Sequence, residues 1–136
     1  MATLPWQHEP GPPTHPPPSA PAAARLSHEE FASMEIGRIG IWSMDLERQP
    51  LAAARQAVAE LDDLGFPALW IPEAMGKEVM SHAALLLTAS SRIIVATGIA
   101  NLWVRDATAM ANAQRTLTEG FPERFLLGIG VSHAPA

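Results

Sequence analysis

Residues 93–100 read IIVATGIA, and this stretch decides the fold. It is apolar on both faces of an extended chain, without the polar alternation of a half-exposed strand. Such a run is a strand covered on both sides. The flanking segments have a different period. Residues 78–90 form a helical pattern with Val79 and Leu86 facing inward. Residues 106–119 form another, with Asp106 as cap, Met110, Ala113 and Leu117 facing the core, and Gly120 ending it. Further out, residues 68–72 (ALWIP) and 125–131 (FLLGIGV) read as strands. Residues 50–64 read as a helix with Leu51, Ala54, Val58 and Leu61 on one face, Pro50 in the first turn and Gly65 as a left-handed cap. Residues 36–42 (IGRIGIW) are the first strand.

The order is β-α-β-α-β-α-β. Helical crossovers between successive strands imply parallel pairing and right-handed connections. The strands recur about every 30 residues, the spacing of a (β/α)₈ barrel of about 250 residues. Three and a half such units are present. They form either a small open α/β sheet or half a barrel.

The chain has 136 residues, one ordinary domain or less. A formal net charge of −5 argues against nucleic acid as the ligand, because phosphate binding needs a basic patch. With no cysteine, disulfides, thiolate metal sites and a thiol nucleophile are excluded together. No apolar run reaches the roughly 18 residues of a membrane span, and no secretory signal pattern opens the chain. The expectation is a soluble cytoplasmic protein with no membrane partner. Of the 13 prolines, Pro5, Pro10, Pro12, Pro13, Pro16, Pro17, Pro18 and Pro21 crowd the start. Residues 1–35 are therefore read as a disordered proline-rich extension and residues 36–136 as the folded domain. Met34, just before the first strand, is a candidate translation start.

In parallel α/β folds chemistry collects at the carboxyl ends of the strands. Those ends carry Trp42, Trp70, Glu73, Gly98, Asn101, Trp103, Gly130 and His133. Aromatic walls with a few polar groups suit a flat, partly polar ligand such as a flavin-type ring. Plainer readings stand beside these: tryptophans as packing, Glu73 as a surface carboxylate, Asn101 as a turn cap, and His133 as a solvated histidine near the chain end. Arg105 and Asp106 close a loop and start a helix, and His82 inside its helix is structural. No metal-ligand spacing appears. The run GIGVSH (128–133) lacks the third glycine and following helix of a dinucleotide fingerprint.

Three segments carry a resemblance: VATGIANLWVRDATAMANAQRTL (95–117), WIPE (70–73) and FPERFLLGIGVSHAP (121–135). In this order and spacing they resemble the luciferase-like superfamily, and within it the coenzyme F420-dependent oxidoreductases. The resemblance implies the N-terminal half of a TIM (β/α)₈ barrel. It implies hydride transfer at the barrel's C-terminal face, with F420 as cofactor or FMN as the alternative, and a small-molecule substrate. It also implies a non-proline cis peptide ending the third strand, here Gly98–Ile99. Trp42, Gly98, Ile99, Asn101 and Gly130 become cofactor-binding candidates, and Glu73 and His133 catalytic candidates. Where several relatives carry a histidine after the strand-2 acid, this chain has Ala74. Family members need about twice this ordered length to close eight strands. The chain is thus expected to be a fragment with reduced or no activity, to self-associate or to depend on a C-terminal half. The alternatives are a non-catalytic half-barrel module, or an open nucleotide-binding sheet with a topological switch point.

Overall fold

The computed structural model describes residues 34–74 and 76–132. In chain order the elements are β1 (Ile41–Trp42), α1 (Asp45–Arg48), α2 (Leu51–Asp63), β2 (Ala68–Ile71), α3 (Val79–Leu87), β3 (Ile94–Thr97), β4 (Ala100–Asn101), α4 (Ala107–Gly120), β5 (Phe125–Leu126) and β6 (Ile129–Gly130). Strands β1, β2, β3 and β5 lie side by side in that order, and β4 pairs with β6. Every pairing is parallel. This is the expected α/β alternation. Sequential order leaves no reversal of strand order, so the switch point that an open nucleotide-binding sheet requires is absent among the described strands.

The two faces of the sheet differ in chemistry. Successive side chains of a strand point to opposite faces. Leu69, Ile71 and Val95 join Ala54 and Val58 of α2, Val79, Ala83, Leu86 and Leu87 of α3, and Met110 and Leu117 of α4 in one buried cluster. Each large aliphatic side chain buried there contributes about 1.5–3 kcal/mol. The other face carries a row across the sheet, set by register: Trp42 beside Trp70, Trp70 beside Ala96, Ala96 beside Leu126. At Gly40 a Cβ would collide with the Trp70 ring, so glycine is required where that indole crosses β1's approach.

Several expectations need correction. The first strand spans only Ile41–Trp42. Among the described residues it pairs with β2 alone, Gly37 turns at a φ of 70°, and Ile39 is 74% exposed. Strands three and four are each interrupted, giving β3 then β4 and β5 then β6. Leu51 is exposed at the start of α2. Gly65 adopts the left-handed cap at a φ of 81°. Gly120 instead ends inside α4, and Phe121 closes the helix by donating to the Leu117 carbonyl at 2.9 Å. The short helix α1 was not anticipated. Lys77 Nζ stabilises it by donating to the carbonyls of Leu46, Glu47 and Gln49 at 3.2, 2.7 and 2.7 Å. A cation at a helix C-terminus complements the helix dipole. Most of the proline-rich segment (1–33) lies outside the described residues.

Candidate functional site

The break in strand three builds the site. The β3 ladder ends at Thr97, and the Gly98–Ile99 peptide is cis. Gly98 N donates to the Ile71 carbonyl at 2.8 Å. Its own carbonyl accepts from Trp42 Nε1 at 2.9 Å. A Cβ on Gly98 would lie 3.3 Å from Trp70 and 3.4 Å from Trp42, so glycine lets both indoles close on the backbone. The chain then re-enters pairing one step out of the main sheet. Ala100 N donates to the Gly128 carbonyl at 2.7 Å, and Leu102 N to that of Gly130 at 3.0 Å. Thr97 Oγ1 bridges the two breaks, accepting from Gly128 N and donating to the Gly128 carbonyl, each at 2.8 Å. At Gly130 a Cβ would come within 3.0 Å of Ile99 Cγ1.

The structure therefore brings Trp42, Gly98, Ile99, Asn101 and Gly130 into one connected rim. Asn101 turns its side chain back to the loop, with Oδ1 accepting from Trp103 N at 3.0 Å. Trp103 Nε1 donates to the Val131 carbonyl at 3.0 Å. Half of Trp42 and most of Trp103 face solvent, and Ile129 and Val131 are exposed beside them.

Glu73 sits behind this rim, almost buried. Its Oε2 accepts from Asn101 N and from Arg105 Nη1, both at 2.8 Å. Its Oε1 accepts from Arg105 Nη2 and, at 3.3 Å, from Val79 N. Arg105 Nη2 also reaches Glu78 Oε1 at 2.7 Å. Glu78 in turn caps α3, accepting from Met80 N at 3.0 Å and Ser81 N at 2.7 Å. The hydrogen bonds to Glu73, against the cost of burial, raise the Arg105 guanidinium above its ordinary value. Glu73, Lys77, Glu78, Val104 and Arg105 line a cleft of about 340 Å³ with the backbone of Ala74 and Gly76. Glu47 of α1 holds the backbone at this cleft, its Oε1 accepting from Ala74 N at 2.8 Å and Gly76 N at 2.9 Å.

The sequence reading missed Arg105 as the partner of Glu73, Thr97 as the bridge, and the Lys77–Glu47 latch. No spacing signal marks them, because each partner lies on a different β/α unit. His133 lies outside the described residues. His82 is buried, and among the described residues neither ring nitrogen has a hydrogen-bond partner. Burial, with Lys77 nearby, lowers its pKa to about 4. Among the described residues no group of three or more His, Cys, Asp or Glu could hold a metal ion. No described helix is long and apolar enough to cross a membrane.

The family model for luciferase-like monooxygenases matches residues 30–136. The chain belongs to the luciferase-like monooxygenase family. A provisionally named coenzyme F420-dependent oxidoreductase of Mycobacterium tuberculosis is 31% identical to this luciferase-like chain over 102 residues. That match covers 74% of the chain and 28% of the relative, so the chain spans under a third of the relative's length. Two solved structures share the fold. One is a type II Baeyer–Villiger monooxygenase, the oxygenating constituent of 3,6-diketocamphane monooxygenase from the CAM plasmid of Pseudomonas putida, in complex with FMN. It superposes with a TM-score of 0.63 at 17% identity, over 72% of the chain and 30% of its own. The other is an F420-dependent secondary alcohol dehydrogenase in complex with an F420–acetone adduct. It has a TM-score of 0.60 at 18% identity, over 71% of the chain and 32% of its own.

Proposed function

We propose that this chain forms one wall of the cofactor site of a coenzyme F420-dependent oxidoreductase, with FMN as the alternative cofactor, at the carboxyl ends of its strands. The observation that carries the reading is the connected rim of Trp42, Gly98, Ile99, Asn101 and Gly130. Its residues fit a flat, partly polar ring. A half-exposed indole stands beside a backbone carbonyl, Ile99 and Ile129 add apolar surface, and the Glu73 carboxylate behind them is neutralised by Arg105. When bound, such a ring gives or takes a hydride.

The chain's own residues orient and shield that ring. Trp42, Ile99 and Ile129 supply apolar contact and exclude water. Gly98 and Gly130 keep side chains out of the approach. Asn101 shapes the exit of strand three. Of the two candidates for handling a proton at the substrate, Glu73 is taken up by Asn101 N, Arg105 and Val79 N, which leaves the role to His133, a residue type whose ordinary pKa lies near neutrality. The substrate is a small molecule. The enzyme is cytoplasmic, and the remainder of the site comes from further barrel strands, so the 136-residue chain alone has little or no activity. A second reading, a self-associating half-barrel module, is favoured by one observation. Among the described residues β1 and β5 are paired on one side only, with Ile39 and Trp42 exposed at the β1 edge. Unpaired edges invite association, and sedimentation equilibrium separates a dimer from a monomer.

The direct test is titration of the purified chain with F420 and with FMN, followed by tryptophan emission. The expected result is saturable quenching with a dissociation constant on the order of 10–100 μM, weakened several-fold by Trp42→Ala. No quenching by either cofactor overturns the reading. Nanomolar binding overturns the assignment of the remaining grip to further strands.

A further inference from the structure

We propose that Glu73 is a positioning residue: with Arg105 as its counter-charge, it sets the conformation of residues 99–105 and so the shape of the cofactor wall. It is not the proton-transferring group. The inference rests on the cofactor reading above and deepens it.

An ionised carboxylate offers about four lone-pair sites. In Glu73 four donors meet them: Asn101 N and Arg105 Nη1 on one oxygen, Arg105 Nη2 and Val79 N on the other. A general acid or base needs an oxygen within reach of the substrate proton, and here both oxygens are turned inward and engaged. The backbone of the same residue completes the grip. Glu73 N donates to the Ile99 carbonyl at 3.2 Å while its side chain accepts from Asn101 N, so one residue holds the chain on both sides of Ala100. The hold passes outward. Asn101 accepts from Trp103 N, Leu102 N reaches Gly130, and Trp103 Nε1 reaches Val131. Arg105 closes the loop from its far end and ties it to the cap of α3 through Glu78. Residues 99 and 105 are thus fastened to one carboxylate-bearing residue, and the rim residues Ile99, Asn101 and Gly130 take their places from it.

Amide hydrogen exchange of the whole chain, read by mass spectrometry, tests this in the wild type, Glu73→Gln and Arg105→Lys. The expected result is exchange about tenfold faster in 99–105 for Glu73→Gln, an intermediate rise for Arg105→Lys, and unchanged exchange in 94–97. A parallel F420 titration is expected to show a dissociation constant raised about tenfold by Glu73→Gln and less by Arg105→Lys. Exchange in Glu73→Gln indistinguishable from wild type overturns the proposal. So does loosening of 99–105 with unchanged F420 affinity. If circular dichroism shows that Glu73→Gln does not fold, Arg105→Lys decides by the same pattern, with unchanged exchange as the overturning result. Wild-type chain that binds neither cofactor overturns the cofactor reading. The exchange arm then still decides whether Glu73 sets residues 99–105.

Discussion

Two carboxylates with little solvent exposure, Asp62 and Glu73, stand at opposite ends of the sheet. Asp62, at the end of α2, meets the start of strand three. It accepts from Ser91 N at 2.7 Å, Ser91 Oγ at 2.9 Å, Arg92 N at 3.0 Å and Ile93 N at 2.7 Å. Glu73, past the end of β2, meets the exit of strand three and is held mainly by Arg105. At the lower end three consecutive backbone amides hold the charge, and the Arg92 side chain is largely exposed at 4.0 Å. At the upper end the Arg105 charge from a distant loop holds it, joined by the amides of Asn101 and Val79. Backbone donors come with the chain direction and survive most substitutions, whereas a charge partner is one side chain. The lower end is built for stability. The upper end is built around one replaceable pair.

The largest expected effect breaks the upper pair. Arg105→Ala leaves the Glu73 carboxylate buried without its counter-charge and should cost about 3–5 kcal/mol in urea unfolding. A loss below about 1 kcal/mol would mean that the charge pair does not hold the upper end. The next effect uses His82. Its pKa in the fold, about 4, lies below the ordinary 6.5, so the unfolded chain takes the proton first. Its contribution is whole above pH 6.5 and is lost as pH falls to about 4, roughly 3 kcal/mol in all. His82→Leu should remove that loss, and an unchanged pH dependence would remove His82 from the account.

A smaller effect sharpens the lower end. Burial raises the Asp62 pKa, but the amide and hydroxyl donors outweigh it and hold the carboxyl at about 2 rather than 3.8. That stability is present above pH 3.8 and fades as pH falls through about 2. Asp62→Asn should cost about 2 kcal/mol at neutral pH and leave F420 affinity unchanged. A loss of affinity in this variant would erase the division between the two ends. The smallest change is Trp42→Phe, which removes one hydrogen bond to Gly98 at an exposed edge. It should cost about 0.5–1 kcal/mol, read as a modest rise in the F420 dissociation constant.

Much of this was legible in the chain. The apolar run at 93–100 announced a strand covered on both faces, and Val95 and Ala96 are buried as it required. Asp106 announced the cap of α4, and its carboxylate accepts from Ala109 N at 2.8 Å. The resemblance pointed to the cis bond at Gly98–Ile99, and that peptide is cis. The length of β1 was not legible: it pairs only Ile41 with Leu69 and Trp42 with Trp70, although β2 runs from Ala68 to Ile71. Nor was α1, whose four residues rest on Lys77 rather than on their own propensity.

What the sequence determined by itself was the alternation of elements and the parallel order. These follow from hydrophobic period and capping residues, which act over a few neighbouring positions. What only the tertiary structure decided was the pairing across units: Glu73 with Arg105, Asp62 with Ser91 and Ile93, Thr97 with Gly128. Each joins residues about 30 positions apart in neighbouring β/α units. No local pattern specifies such a pair, because it forms only once parallel strands bring successive units into register.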